Sequence, residues 1–395
     1  MDIKTNILFV DDDPNLLSGL RRMLRACRNQ WTMHFAVGGA AALEVVAKHN
    51  IDVIVSDMKM PEIDGAELLT TISRSHPEIV RLILSGQAEH EKIVNVVGVA
   101  HQFLSKPCDS DDLQSTIGNI CDAKAKLTNL DQRVLVTQIG SIPCAHQNYL
   151  ELTSIFEAGE NEFDRAKEVI AKDVGLSVKV MQLVSSSFFG SPQPKCDIPA
   201  ACDMLGFELL SQLFFESNIF APMESETLGE FVFHDLYQRS VETSELARQI
   251  AIANSCSPED VVIAQNAGLF KGVGRLILAR YFPEAYLEAL DVAKQGSISI
   301  GDAEQKVFGV THVEIGAFLL ALWGIAPEIV RSVRAIEESE TSDPSSFGPA
   351  AAVFVANHLI GESDNPQQAA IEQSEYVRQL DCAQQIPSWR ALVKR

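Results

Sequence analysis

One stretch constrains this chain more than any other: Ile51-Asp52-Val53-Ile54-Val55-Ser56-Asp57-Met58-Lys59-Met60-Pro61-Glu62-Ile63-Asp64-Gly65. The nearly continuous apolar run from Ile51 to Val55 reads as a strand buried on both faces, the pattern of a parallel sheet. It ends on Asp57, and a loop with Pro61 and Gly65 follows. A carboxylate at the end of a buried parallel strand lies on the carboxyl edge, where open α/β sheets bind their ligands. On this stretch alone, an Asp that caps the next helix is an equal reading.

Three further runs end in the same way. Asp11-Asp12-Asp13 follows Ile7-Leu8-Phe9-Val10. Ser85 follows a run from Val80 to Leu84 that only Arg81 breaks. Lys106-Pro107 follows Phe103-Leu104. Helical patterns lie between them, and right-handed crossovers put all four strand ends on one edge. The edge then gathers acids suited to Mg²⁺, with a hydroxyl and an ammonium suited to phosphoryl oxygens. A carboxylate beside such a cation can act as a nucleophile and become an aspartyl-phosphate.

Residues 1–122 thereby resemble the receiver domain of two-component response regulators. The motifs are the acidic pair Asp11 and Asp12, Asp57 in its D-M-K-M-P-x-x-D-G loop, Ser85 before Gly86, and Lys106-Pro107. The resemblance implies a flavodoxin-like fold, an α/β doubly wound five-stranded parallel sheet. It implies that Asp57 accepts phosphate from a sensor histidine kinase, and that Mg²⁺ is held by Asp12, Asp57 and the carbonyl of Lys59, with Asp11 helping through water. Ser85 then bonds the phosphoryl group, Lys106 pairs with it, and the Lys106-Pro107 bond is cis. Phe103 fills the switch-aromatic position and lacks the hydroxyl of Tyr.

A length of 395 residues allows two or three domains. The formal net charge of -21 argues against a non-specific nucleic-acid groove, which needs a basic face. Eight scattered cysteines with no C-x-x-C pair suit a reduced cytoplasmic protein, not a disulfide or zinc framework. No signal segment is read, and no apolar run of membrane-spanning length, so no membrane is expected.

The helices expected in the first part are 14–28, 38–49, 63–75, 89–97 and 109 to about 126. The last either continues through 122–135 as one rod or breaks near Thr128-Asn129; residues 123–137 are read as a helical linker. From 138 the pattern is all-α, with helices at 149–156, 163–173, 177–188, 199–218, 230–254, 258–279, 283–294, 299–323, 327–338, 349–361 and 366–381. Residues 384–395 read as a loose tail.

Three stretches of the helical part carry a second resemblance. They are Ala171 to Val180 with Val184-Ser185-Ser186-Ser187-Phe188-Phe189-Gly190, Ala200 to Gly206, and Val310 to Leu320 with Trp323 and Pro327 after it. Residues 138–395 are therefore similar to an HDOD domain, an all-α, non-catalytic relative of the HD and HD-GYP phosphohydrolases. One departure is Ser185-Ser186, where the family more often has Asn-Ser. The metal-binding positions of those enzymes fall here on Arg239, Phe270, Lys271, His312, Ala335, Ile336 and Asn357. Only His312 is a ligand type, and one imidazole makes no catalytic metal site. His234-Asp235 reads as a decoy on a helix face. The serine run lacks a nucleophile elbow. Gly272 and Gly274 lack the rest of a phosphate loop and read as a tight helix contact.

The leading reading is a response regulator whose HDOD domain acts by binding another protein, with a homodimer possible and no catalysis beyond its own phosphorylation. The rivals are a cyclic-dinucleotide or nucleotide phosphodiesterase, and a ligand sensor that keeps a nucleotide pocket. A DNA-binding output is the weakest.

Overall fold

The structure, a computed structural model, describes residues 4–86, 94, 96–127, 130–186, 196–217, 219–220, 222, 229–337, 347–362 and 371–393. Five parallel strands, β1 (Thr5–Asp11), β2 (Trp31–Val37), β3 (Val53–Asp57), β4 (Val80–Ser85) and β5 (Gln102–Ser105), lie in the order β2-β1-β3-β4-β5. Parallel strands need crossovers, and here helices α1 (Pro14–Met23), α2 (Gly39–Lys48) and α3 (Gly65–Ser75) supply three of them. Helix α4 (Ser110–Lys126) follows β5. With both faces covered, every residue of β3 and β4 is buried, Arg81 included. Asp13, Asp64 and Asp109 start α1, α3 and α4 by accepting from backbone N–H groups of the first turn. This is the doubly wound, five-stranded sheet expected. Most of the helix expected at 89–97 falls on 89–93 and 95, outside the described residues; residues 96–99 form turns.

Helix α4 does not run on as one rod. Leu127 is extended (φ -97°, ψ 97°), and α5 (Leu130–Gln138) follows a break. The helical half continues with α6 (His146–Ala158), α7 (Phe163–Ala171), α8 (Val174–Val184), α9 (Ile198–Leu205), α10 (Phe207–Glu216) and α11 (Gly229–Ala253). After them come α12 (Pro258–Phe270), α13 (Val273–Tyr281), α14 (Pro283–Gly296), α15 (Ile300–Phe308), α16 (His312–Leu322), α17 (Pro327–Arg334) and α18 (Pro349–Glu362). The short α19 (Glu375–Gln379) and α20 (Ile386–Arg390) end the chain.

Three helices expected as single rods are pairs. The segment 199–218 breaks at Gly206 (φ 77°), 299–323 at Gly309 (φ 68°), and 258–279 between Phe270 and Val273. Both members of each pair bury apolar residues in the same core, so the periodicity survives the turn and hides it. Thr311 restarts the chain as α16 with a capping box to Glu314. Gly274 lies against α16, where a Cβ would stand 1.8 Å from the His312 carbonyl, a tight helix contact.

One expectation is corrected. The tail is docked: Ile386 and Trp389 are buried, the Trp389 ring lies tilted against Phe347 with centroids 5.6 Å apart, and Arg390 pairs with Glu372 at 2.8 Å. Two large apolar side chains outweigh the polar composition around them. By length and composition alone the stretch Pro258–Tyr281, which is α12 and α13 together, could cross a membrane, but most of it is buried inside the domain.

Candidate functional site

The strand ends bring the acids together as their positions require. One carboxylate oxygen from each of Asp11, Asp12 and Asp57 lies within 4.8 Å of the others. Among the described residues, these three form the one cluster of three or more His, Cys, Asp or Glu side chains placed to share a metal ion. Lys106 Nζ spans two of them, at 2.7 Å from Asp57 Oδ1 and 2.9 Å from Asp11 Oδ2. Asp57 Oδ1 also accepts from the Met58 backbone N–H at 2.8 Å. The loop after β3 must fold back tightly, with Gly65 N–H donating to the Met58 carbonyl at 2.9 Å. A Cβ on Gly65 would sit 2.2 Å from the Asp57 carbonyl, so only glycine fits there.

Burial pushes the Asp57 carboxyl up, Lys106 opposes that, and Asp11 adds to it; the net direction is up. Burial alone would lower the Lys106 ammonium, but its bonds to Asp57 and Asp11 prevail and raise it. Ser85 is fully buried at the end of β4, and its carbonyl accepts from Lys106 N–H at 2.8 Å. The Lys106-Pro107 bond is cis. Phe103 is fully buried on β5, while Lys59 is exposed in the loop.

Among the described residues, the helical domain assembles no comparable cluster from its ligand-type positions. Arg239 donates to Asp235 on its own helix at 2.7 Å, and the neighbouring His234 is exposed. Phe270 is wholly buried; Lys271 is half-buried and pushed down to about 7 by burial and by Arg275 and Arg239. Ala335 is buried just past α17, with Ile336 half-buried beside it, and Asn357 is half-buried in α18. His312 Nδ1 lies 2.6 Å from Glu304 Oε2, which also accepts the His312 backbone N–H at 2.8 Å. Burial would raise the Glu304 carboxyl, but His312 brings it below its ordinary value. No sequence pattern singled out Glu304.

The sequence also left unread a polar seam that joins the two domains. Strand β5 is the sheet's edge, and the carbonyl of His101 just before it and that of Phe103 within it meet side chains of α8 and of the turn after α8. Gln182 Nε2 donates to His101 O at 2.9 Å, and Ser186 Oγ to Phe103 O at 2.6 Å. Two strand residues advance about 6.6 Å and four helical residues about 6.0 Å, so the two repeats coincide. One helical turn earlier, Lys179 Nζ donates to Val97 O at 3.1 Å and Gly140 O at 2.7 Å, and lies 4.6 Å from the centre of the Trp323 ring. Burial pushes this lysine down to about 7. From the receiver side, Gln102 Nε2 donates to Leu322 O at 3.0 Å. Arg81 Nη2 at 2.7 Å and His101 Nε2 at 2.9 Å both meet the Thr137 carbonyl. Two signals were present: an arginine inside a buried strand, and Lys179 and Gln182 inside a helix buried on every side.

Comparison with known proteins gives two family matches, the response regulator receiver domain over residues 7–118 and the HDOD domain over residues 142–339. The transcriptional regulatory protein GlrR of Escherichia coli (strain K12) is 33% identical over 128 residues, 31% of this chain and 28% of that protein. Sensor kinase CckA of Brucella abortus is 34% identical over 114 residues, 28% of this chain and 12% of that protein. The chain thus spans under a third of the length of these curated relatives. Among solved structures, the signal receiver domain of an HD domain-containing protein from Pseudomonas fluorescens Pf-5 is 26% identical (31% of this chain, 98% of that one, TM-score 0.30). The MmoQ response regulator from Methylococcus capsulatus is 18% identical (63% of this chain, 98% of that one, TM-score 0.49).

Proposed function

Because this chain belongs to the HDOD family and carries a response regulator receiver domain ahead of its HDOD domain, we propose that it is the response regulator of a two-component phosphorelay. In this reading a sensor histidine kinase phosphorylates Asp57, and the HDOD domain passes the signal on by contacting a target protein, without chemistry of its own. The observation that supports it best is the gathering of Asp57, Lys106 and the acids Asp11 and Asp12 at one edge of the sheet, with Lys106 bonded to both Asp57 and Asp11.

Three carboxylates so close together fit Mg²⁺, a hard cation that prefers oxygen donors, with the Lys59 carbonyl as a further ligand. When bound, the ion supplies charge neutralisation for the incoming phosphoryl group. The chain's own groups do the rest. An Asp57 oxygen attacks phosphorus, its O–P bond forming as the donor's N–P bond breaks. Lys106, already aimed at Asp57 Oδ1, holds the carboxylate and then pairs with the phosphoryl oxygens. Ser85 offers a hydroxyl from the neighbouring strand end. A phosphoryl group adds about -1.5 to -2 charge, which draws Ser85 and Lys106 inward. Phe103 lies on the same strand whose carbonyl Ser186 holds, so that pull reaches the seam directly.

A non-catalytic output is supported by Arg239, Phe270, Lys271, Ala335, Ile336 and Asn357 at the metal-binding positions. The net charge of -21 favours a protein target over nucleic acid. We read the protein as soluble and cytoplasmic, with a homodimer compatible. The test is phosphoryl labelling by acetyl phosphate with Mg²⁺. Wild type is labelled and Asp57→Asn is not, while Lys106→Ala loses the downstream response more than acceptance itself. Equal labelling of Asp57→Asn refutes the assignment.

A further inference from the structure

We propose that the cleft beside the seam binds a small zwitterion of amino-acid size, held between the two domains. The cleft has a volume of about 270 Å³. That is just below the ~300–1,000 Å³ of pockets for drug-sized ligands, so the occupant is fragment-sized. Phe103 forms part of its floor, α4 one wall, and the end of α16 with α17 the other.

Two lining groups ask for a partner. Gln182 is 1% exposed, and its Oε1 has no hydrogen-bond partner. The amide cannot simply turn over, because its Nε2 is committed to the His101 carbonyl. Ser185 Oγ, on the same lining, is also buried without a partner. A buried polar atom left unpaired costs about 1–3 kcal/mol, and native structures leave few such groups unexplained. An amide oxygen only accepts, so the occupant must bring an N–H or O–H donor.

The walls add the rest of the specification. Asp112 and Asp122 line the α4 side, with Lys126 at its far end, and Arg331 lines the α17 side. Opposed signs suit a ligand that carries both, an ammonium toward Gln182 and the acids and a carboxylate toward Arg331. Trp323 and Val330, both buried, offer apolar surface to a side chain.

Because the walls come from different domains, only the docked arrangement completes the site. The ligand therefore stabilises docking by mass action, and phosphorylation and ligand oppose or favour each other reciprocally. That coupling rests on the proposed phosphorelay reading; the binding itself does not.

The test is calorimetric titration of the unphosphorylated full chain with single protein L-amino acids, each at up to about 10 mM. At least one apolar amino acid is expected to bind saturably. Arg331→Ala, Ser185→Ala and the cleft-filling Ser115→Trp are each expected to weaken it by about tenfold or more. Its N-acetyl and amide derivatives, which lack one charge each, are expected to bind as poorly. The proposal is overturned if no amino acid binds saturably, if the variants bind as wild type does, or if either derivative binds equally well. Asp57 takes no part in these titrations, so their failure leaves the phosphorelay reading standing, and failed labelling of Asp57 leaves the binding site standing.

Discussion

Ser186→Ala removes one bond of the seam. The Ser186 hydroxyl donates to the Phe103 carbonyl at 2.6 Å on the free edge of β5. In the docked state, alanine leaves that buried carbonyl without its donor, at a cost of about 1–3 kcal/mol. Once the domains separate, water reaches the strand edge and the penalty vanishes. The substitution therefore acts on docking and hardly on the stability of either domain, shifting the docking equilibrium by roughly 5- to 150-fold. Ser185→Ala is the matched control, since Ser185 Oγ has no bond to lose. Gln182→Leu should fall between them, because it removes the donor to His101 but also an unpaired oxygen. Hydrogen exchange over residues 96–105 and small-angle scattering report docking. Ser186→Ala should speed exchange and enlarge the particle, while Ser185→Ala should do neither. Beryllofluoride with Mg²⁺ should move wild type in the same direction as Ser186→Ala. Identical exchange in the two alanine variants, with both folded, would refute the view that this bond holds the domains together.

Three further outcomes are expected. The full chain should release no product from cyclic dinucleotides or nucleotide phosphoesters with Mn²⁺, Fe²⁺ or Mg²⁺; metal-dependent turnover abolished by His312→Ala would overturn the non-catalytic reading. His101 accepts the Arg81 backbone N–H at Nδ1, which fits a neutral ring, and burial, with Arg81 and Lys179 nearby, holds it well below its ordinary value. Its folded pKa is depressed, so the unfolded chain binds the extra proton, and stability should fall as pH drops below about 6.5, by up to ~1.4 kcal/mol per pH unit; urea midpoints between neutral and mildly acidic pH check this, and an unchanged slope in His101→Gln would count against it. Trp389→Ala should cost about 3–5 kcal/mol in thermal or urea unfolding, as expected for a buried aromatic, whereas a loose tail would lose almost nothing.

The acid pocket was legible because its residues sit at strand ends, and strand ends converge by topology. Asp57, Asp11, Asp12 and Lys106 needed only the position of each apolar run. Strand β2 was harder, since its Trp-Thr-Met-His-Phe-Ala-Val is partly exposed and lacks a terminal charge. The seam was illegible for a different reason: Lys179, Gln182 and Ser186 all address backbone carbonyls, and no side-chain pattern marks a carbonyl as a target. The helix breaks were hidden because both halves of each pair face one core. The tail was misread because composition averages over Ile386 and Trp389, whereas burial depends on those two alone.

The Thr137 carbonyl bears on how such a protein can be cut and recombined. Arg81 and His101 belong to the receiver, yet the acceptor they share lies on α5, past its sequence boundary. A receiver trimmed at its last conventional helix would expose an arginine and a histidine shaped for a partner left behind. Grafting it onto a different output would succeed only if the graft carried the chain through Thr137. The inheritable module is therefore the receiver plus α5, and a swap made at the apparent junction would break a contact that neither donor protein could replace.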